Sequence, residues 1–174
     1  GNSQEEIDII RLTLHYHEAG TTHMEPELLR NPVSHYADPQ RLAQEQAILL
    51  REFPIIVGHV SQLASAGDFF THDETGVPIL VTRTRRGAVK AFMNVCRHRG
   101  ARIVTETGGN ATTFSCPYHA WTYDLEGQLR GLRQPAGFAD LDKGEHGLVE
   151  LPALERFGLI WVRPSVSEAP ISID

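Results

Sequence analysis

Apolar residues recur with two different periods along the chain. Ile7, Ile10 and Leu14 fall on one helical face, and Ser3 with Glu6 makes a capping-box pattern, so a helix is expected over residues 3–19, ended by Gly20. Residues 20–37 hold no sustained period and read as an irregular arm. A second helix is expected from Asp38, with Pro39 in the first helical position, to about Phe53. Its stripe of Leu42, Leu49, Leu50 and Phe53 is expected to face a core. From residue 55 the texture shortens. Ile55-Ile56-Val57, Ile79-Leu80-Val81-Thr82, Ala88-Val89-Lys90-Ala91-Phe92 and Leu159-Ile160-Trp161-Val162 are β-rich runs, and Arg85-Arg86-Gly87 and Leu125-Glu126-Gly127 read as hairpin turns. Many short antiparallel strands imply a mainly β fold, a sandwich or small barrel preceded by an α-helical extension. The tail from Pro164 to Asp174 is rich in Pro and Ser and reads as a linker.

Composition narrows the field. The 174 residues suit one domain, or one domain with an arm, long enough to bury a core without disulfides. A net charge of -6 and the lack of a basic stripe with interleaved aromatics argue against nucleic acid. The same acidity suits a basic docking face on a partner protein. No apolar run is long enough to cross a bilayer, and the acidic start Gly1-Asn2-Ser3-Gln4-Glu5-Glu6 lacks a signal-peptide core. A cytoplasmic address is therefore expected, one that also keeps thiols reduced.

The chemistry is concentrated in two short segments, Cys96-Arg97-His98 and Cys116-Pro117-Tyr118-His119, which use both cysteines of the chain. Two thiolates and two imidazoles can hold one zinc ion or one mixed-ligand iron–sulfur cluster. A Cys2His2 zinc finger usually pairs the cysteines and then the histidines, whereas here each segment supplies one of each. That arrangement suits a binuclear centre with both cysteines on one iron and both histidines on the other. A disulfide between Cys96 and Cys116 would leave the fixed offsets of His98 and His119 without a reason. Arg97 and Arg99 read either as tuning or docking charges or as solvated loop charges. His15 and His17, two apart, lie on different helical faces, and with His23, His35, His59, His72 and His146 they read as surface or core histidines.

The four positions resemble the Rieske 2Fe–2S motif, C-x-H, seventeen residues, C-x-x-H. From about Tyr36 to Pro164 the chain looks like the N-terminal Rieske domain of a ring-hydroxylating oxygenase large subunit. Beyond the ligand segments, Val57-Gly58-His59-Val60-Ser61, Gly67-Asp68-Phe69-Phe70 and Phe157-Gly158-Leu159-Ile160-Trp161-Val162 support the likeness. The resemblance implies a helical extension over residues 1–53, a Rieske domain over 54–164 and a linker over 165–174. It also implies a following catalytic domain with a mononuclear Fe(II), to which the cluster delivers electrons. Further implied are a reductase or ferredoxin donor, trimeric association with neighbouring subunits and no membrane. One histidine ring is expected to meet a carboxylate of a neighbouring subunit. No 2-His-1-carboxylate site is recognisable after residue 120, where His146 is the only histidine, so hydroxylation is not expected of this segment alone. A stand-alone Rieske-type ferredoxin and a zinc-stabilised interaction module are the rival readings. The helical extension weighs against the first, because a minimal ferredoxin needs only the β domain.

Replacing two thiolates by neutral imidazoles makes electron uptake easier than in plant-type ferredoxins, whose potential is roughly -400 mV. Respiratory Rieske proteins place a Ser hydroxyl where this chain has Trp121, a Tyr hydroxyl where it has Tyr123, and cysteines where it has Gly100 and Tyr118. The resemblance thus implies a potential at the low end, on the order of -150 mV. Loops without the extra disulfide must be held by packing and backbone hydrogen bonds. Pro117 biases Cys116 toward an extended conformation, and Trp121 and Tyr118 are expected to pack by the cluster.

Overall fold

The computed structural model describes residues 3–24, 27–133 and 135–173. They divide into two compact units, one ending at Asp38 and one beginning at Pro39. In the first, helix α1 (Gln4–Glu18) starts as the pattern demands. The Glu6 N–H donates to the Ser3 hydroxyl and the Ser3 N–H to the Glu6 carboxylate. At the other end Gly20, at φ 62°, lets its own N–H reach the His17 carbonyl and the Thr21 N–H reach the Tyr16 carbonyl. The arm is not wholly irregular: a single helical turn, α2 (Ser34–Ala37), interrupts it. Asp38 leaves the helical region (ψ 113°) because the Pro39 ring clashes with a helical predecessor.

The second unit opens with α3 (Pro39–Glu52), which buries no residue. The stripe expected to face a core is therefore corrected: Leu42, Leu49 and Phe53 are 53%, 52% and 55% exposed, and Leu50 is half-buried. Strands, loops and a 3-10 turn at Val60–Leu63 close the apolar cores without α3. No described helix is long and apolar enough to cross a membrane.

The rest is antiparallel β. One sheet has the order β1 (Ile55–His59), β11 (Leu159–Val162), β10 (Ala153–Arg156). The largest has the order β5 (Gly108–Asn110), β2 (Asp68–His72), β3 (Ile79–Arg83), β4 (Val89–Met93), β9 (Glu150–Leu151). A third runs β6 (Thr113–Ser115), β7 (Thr122–Asp124), β8 (Leu129–Gly131). The unbroken run Ile79-Leu80-Val81-Thr82 explains the layout, since a strand apolar on every residue must be covered on both faces. Ile79 and Val81 join Phe70, Ala91, Leu151, Ile160 and Val162 in a core against the first sheet. Leu80, Phe69 and Phe92 point the other way, into a core shared with the third sheet and with Cys96, Cys116, Trp121 and Tyr123. Thr82 enters that second core with its hydroxyl satisfied by the Leu125 carbonyl at 2.8 Å. The five-stranded sheet is thus a wall, and both cysteines stand on one side of it. Gly127, at φ 77°, closes the β7–β8 turn directly against the Phe92 ring, where a Cβ would lie 2.4 Å from a ring carbon. After Pro164 the tail is tied back: the Arg163 guanidinium donates to the Ser167 hydroxyl and the Ala169 carbonyl.

Candidate metal centre

The first motif segment leaves β4 and the second caps the β6–β7 hairpin. Asn94 prepares the first. It is fully buried, its amide nitrogen donates to the Val104 carbonyl at 2.7 Å, and its amide oxygen accepts from the Ile103 and Val104 N–H groups. It thereby ties the outgoing limb to the return limb, which also meet in the bridge between Val95 and Arg102. In the second segment, Ser115 and Thr122 share a hydroxyl hydrogen bond at 2.8 Å across the hairpin.

Between these anchors both segments draw the same backbone figure. The Cys96 N–H donates to the Ala101 carbonyl at 2.8 Å, and the Gly100 N–H to the Cys96 carbonyl at 2.9 Å. Likewise the Cys116 N–H donates to the Trp121 carbonyl at 2.8 Å, and the Ala120 N–H to the Cys116 carbonyl at 2.9 Å. The reversal needs a left-handed residue in each, Gly100 at φ 71° and Ala120 at φ 57°. The two cysteines are buried and free, and the His98 and His119 rings meet edge-on with centroids 4.6 Å apart. Thiols gather on the core side and imidazoles on the cleft side. Among the described residues no three His, Cys, Asp or Glu side chains close around one point as a single-ion cage.

The electrostatics suit a neutral imidazole at His98 and a thiol at Cys96 that ionises with a cation. Burial holds His98 below the ordinary histidine range, with His119 and Arg99 adding to the effect. Burial pushes the Cys96 thiol up, the Tyr123 hydroxyl partly offsets that, and Cys116 raises it further. Tyr123 is fully buried, and burial foremost pushes its phenol far above the ordinary tyrosine value. Its oxygen accepts from the Arg97 N–H at 3.1 Å, which leaves its proton for the Cys96 sulfur 3.4 Å away. The hydroxyl singled out in the sequence is therefore aimed at a cysteine.

His98 Nδ1, His119 Nδ1 and Trp121 Nε1 are all buried without a hydrogen-bond partner. Trp121 stacks flat on His98, 4.9 Å between centroids and 9° between planes. Tyr118 packs on His119 at 3.8 Å but is 60% exposed, so it lies beside the pocket and not beneath it. The outer edges of both histidines open on a cleft of about 370 Å³ lined also by Arg99, Tyr118, Trp121, Arg133 and Phe138. Asn94, Arg133 and Phe138 had no role in the sequence reading. Asn94 carried a signal, a buried-type amide two residues before the first cysteine, whereas Arg133 and Phe138 reach the cleft only through tertiary folding.

A family model for the Rieske 2Fe–2S domain matches residues 53–150, more than half of the chain. This chain belongs to the Rieske family. It is 36% identical over 143 residues to the glycine betaine monooxygenase oxygenase subunit of Chromohalobacter salexigens, covering 82% of this chain and 32% of that protein. It is 35% identical over 127 residues to the alpha subunit of biphenyl 2,3-dioxygenase of Rhodococcus jostii, covering 72% and 28%. Among solved structures, the apo quaternary ammonium Rieske monooxygenase CntA superposes with a TM-score of 0.72 at 30% identity, over 82% of this chain and 41% of that one. Naphthalene 1,2-dioxygenase from Rhodococcus sp. gives 0.71 at 28% identity, over 78% and 31%. The Rieske chain thus spans about a third of the length of the curated relatives it matches, and it corresponds to the Rieske part of their oxygenase subunits. The cofactor of the family is a 2Fe–2S cluster, and the donor set fits it: two buried thiols side by side and two buried imidazole nitrogens with nothing else to bind.

Proposed function

We propose that Cys96, His98, Cys116 and His119 are the ligands of the Rieske 2Fe–2S cluster, the cysteines on one iron and both His Nδ1 atoms on the other. The observation that carries this is the pair of buried, unpartnered imidazole nitrogens facing two free buried thiols. A buried polar atom left without a partner is costly, and two such atoms on adjacent loops point to a shared ligand. The cluster, when bound, stores and releases one electron. This chain's own residues do the rest. Tyr123 donates to the Cys96 sulfur, which favours the form carrying more negative charge. Burial keeps His98 neutral and ready to ligate. The outer ring edges of His98 and His119 reach the cleft, where an electron can leave or enter.

In this reading the chain is the electron-delivering part of an oxygenase large subunit. Residues 1–53 are a helical extension, 54–164 the cluster domain, and 165–174 a connection toward a catalytic domain with a mononuclear Fe(II). A reductase or ferredoxin supplies electrons in the cytoplasm, and one histidine edge passes them to a neighbouring subunit of a trimer. The relatives are named for glycine betaine, carnitine, biphenyl and anthranilate. One kind of electron-transfer domain therefore serves unlike substrates, and this reading leaves substrate choice to the catalytic domain. The separation of a thiol pair from an imidazole pair favours two irons over a single zinc.

The test is a substitution series on the anaerobically reconstituted protein. Cys96→Ala, His98→Ala, Cys116→Ala and His119→Ala are each expected to lose iron and acid-labile sulfide, while His17→Ala, on the exposed surface of α1, keeps both. A variant lacking any of the four that still binds iron and sulfide at the wild-type level refutes the assignment.

A further inference from the structure

We propose that Trp121 is a positioning residue whose indole fixes the plane of the His98 imidazole, and with it the direction of His98 Nδ1. The inference rests on the ligand assignment above. A metal-bound histidine is usually oriented by a hydrogen bond from its other ring nitrogen to a carboxylate or carbonyl. With Nδ1 turned to the metal, that role falls to His98 Nε2, on the ring edge that lines the cleft, and it makes no hydrogen bond among the described residues. Rings surround it instead. Trp121 lies flat on one face at 4.9 Å and 9°, while Phe138 at 5.7 Å and 84° and His119 at 4.6 Å and 74° meet it edge-on.

The indole can act as a reference plane because it is itself immobilised. It is 2% exposed and gripped edge-on by Phe138 at 5.6 Å and by His146 at 5.8 Å. Its Nε1–H is buried without an acceptor, so ring packing and not a hydrogen bond sets its place. Its backbone adds a second constraint, because the Trp121 carbonyl accepts from the Cys116 N–H that closes the second loop. The residue that shapes the loop of Cys116 thus carries the ring that orients the histidine of the loop of Cys96. Trp121 couples the two halves of the site without ligating anything. It also gives His146 a part, as one jaw of the clamp.

The cluster-loaded protein tests this with two replacements that separate flatness from bulk. Trp121→Phe keeps a flat ring and discards the N–H, whereas Trp121→Leu fills space without a flat face. The readouts are the rate of iron release to a chelator and the width of the electron paramagnetic resonance lines after dithionite reduction. Trp121→Leu is expected to release iron about tenfold faster and to broaden the lines, as loss of an orienting partner does. Trp121→Phe is expected to stay within about twofold of wild type in release rate. If the leucine variant does not fold, Trp121→Met carries the same expectation. Wild-type release and line width in the leucine or methionine variant overturn the proposal, and so does a phenylalanine variant as impaired as the leucine one. A wild-type protein with neither cluster nor signal overturns the ligand assignment, whereas a normal wild type with indifferent variants overturns this inference alone.

Discussion

The two loops that carry the proposed ligands share a backbone figure and differ in almost everything else. Each closes the same pair of hydrogen bonds around its cysteine and turns on a left-handed residue. The first loop adds a phenol aimed at its sulfur and holds its histidine among Trp121, Phe138 and His119. The second presents its histidine beside an exposed tyrosine. Backbone geometry thus sets where ligands sit, and side chains make one loop the tuned, enclosed half and the other the more open half. Gly100 and Ala120 show the same division at one atom's resolution. They occupy equivalent places, but only the second carries a Cβ in the left-handed region.

Substitutions separate the two loops. The largest effect is expected at Gly100, where an added Cβ meets no atom within 4 Å and only backbone strain acts. Gly100→Ala should cost about 1–2 kcal/mol in urea unfolding of the apo-protein. An unchanged midpoint would mean that the first loop can relax away from its partner's geometry. Next comes Tyr123→Phe, which removes a donor to sulfur from one loop only. A hydrogen bond worth about 1 kcal/mol more to the reduced cluster corresponds to a fall of roughly 40 mV in midpoint potential. A redox titration that finds no fall, or a rise, would remove the electrostatic difference between the loops.

Ala120→Gly tests the same place from the strained side. Relief of the left-handed strain outweighs the extra freedom glycine gives the unfolded chain, for a net gain of about 0.5 kcal/mol by the same unfolding measurement. A loss would show that the Ala120 methyl packs usefully. The smallest effect lies outside both loops, where Asp68 joins β2 to β5 and serves as a control. The Asn110 amide, donating at 2.7 Å, and then the Ser65 N–H hold the Asp68 carboxyl below the ordinary aspartate value. A depressed carboxylate contributes stability above its unfolded pKa, near 3.9, and loses it as pH falls through the folded value. Melting temperature should therefore drop on acidification below about pH 4, and less steeply in Asn110→Ala. Equal slopes would remove Asp68 from the account.

The sequence was most legible where local chemistry acts alone. The Ser3–Glu6 cap, Pro39, the turn at Gly87 and the apolar run at Ile79 each carry their own cause, and the four candidate ligands stand out by side-chain type and spacing. Elements held by partners distant in sequence were not. Gly108-Gly109-Asn110 has no strand pattern and becomes β5 only because β2 offers it a main-chain edge. Ala120 gives no sign of its left-handed conformation, which the hydrogen bonds of Cys116 and Trp121 impose. The α3 stripe misled because helical periodicity reports an apolar face without saying what covers it. Trp121 stands where a hydroxyl would sit and is expected to pack by the cluster, but its stacking on the histidine of the other loop follows only from placing both loops together.

On the proposed reading, two thiolates and two imidazoles hold a pair of irons that accepts one electron. Electron paramagnetic resonance on the dithionite-reduced protein, with iron and acid-labile sulfide counted on the same sample, tests it most directly. The account predicts about two irons and two sulfides per chain, a one-electron signal, and a midpoint on the order of -150 mV. Zinc in place of iron, no sulfide and no signal after anaerobic reconstitution would contradict it.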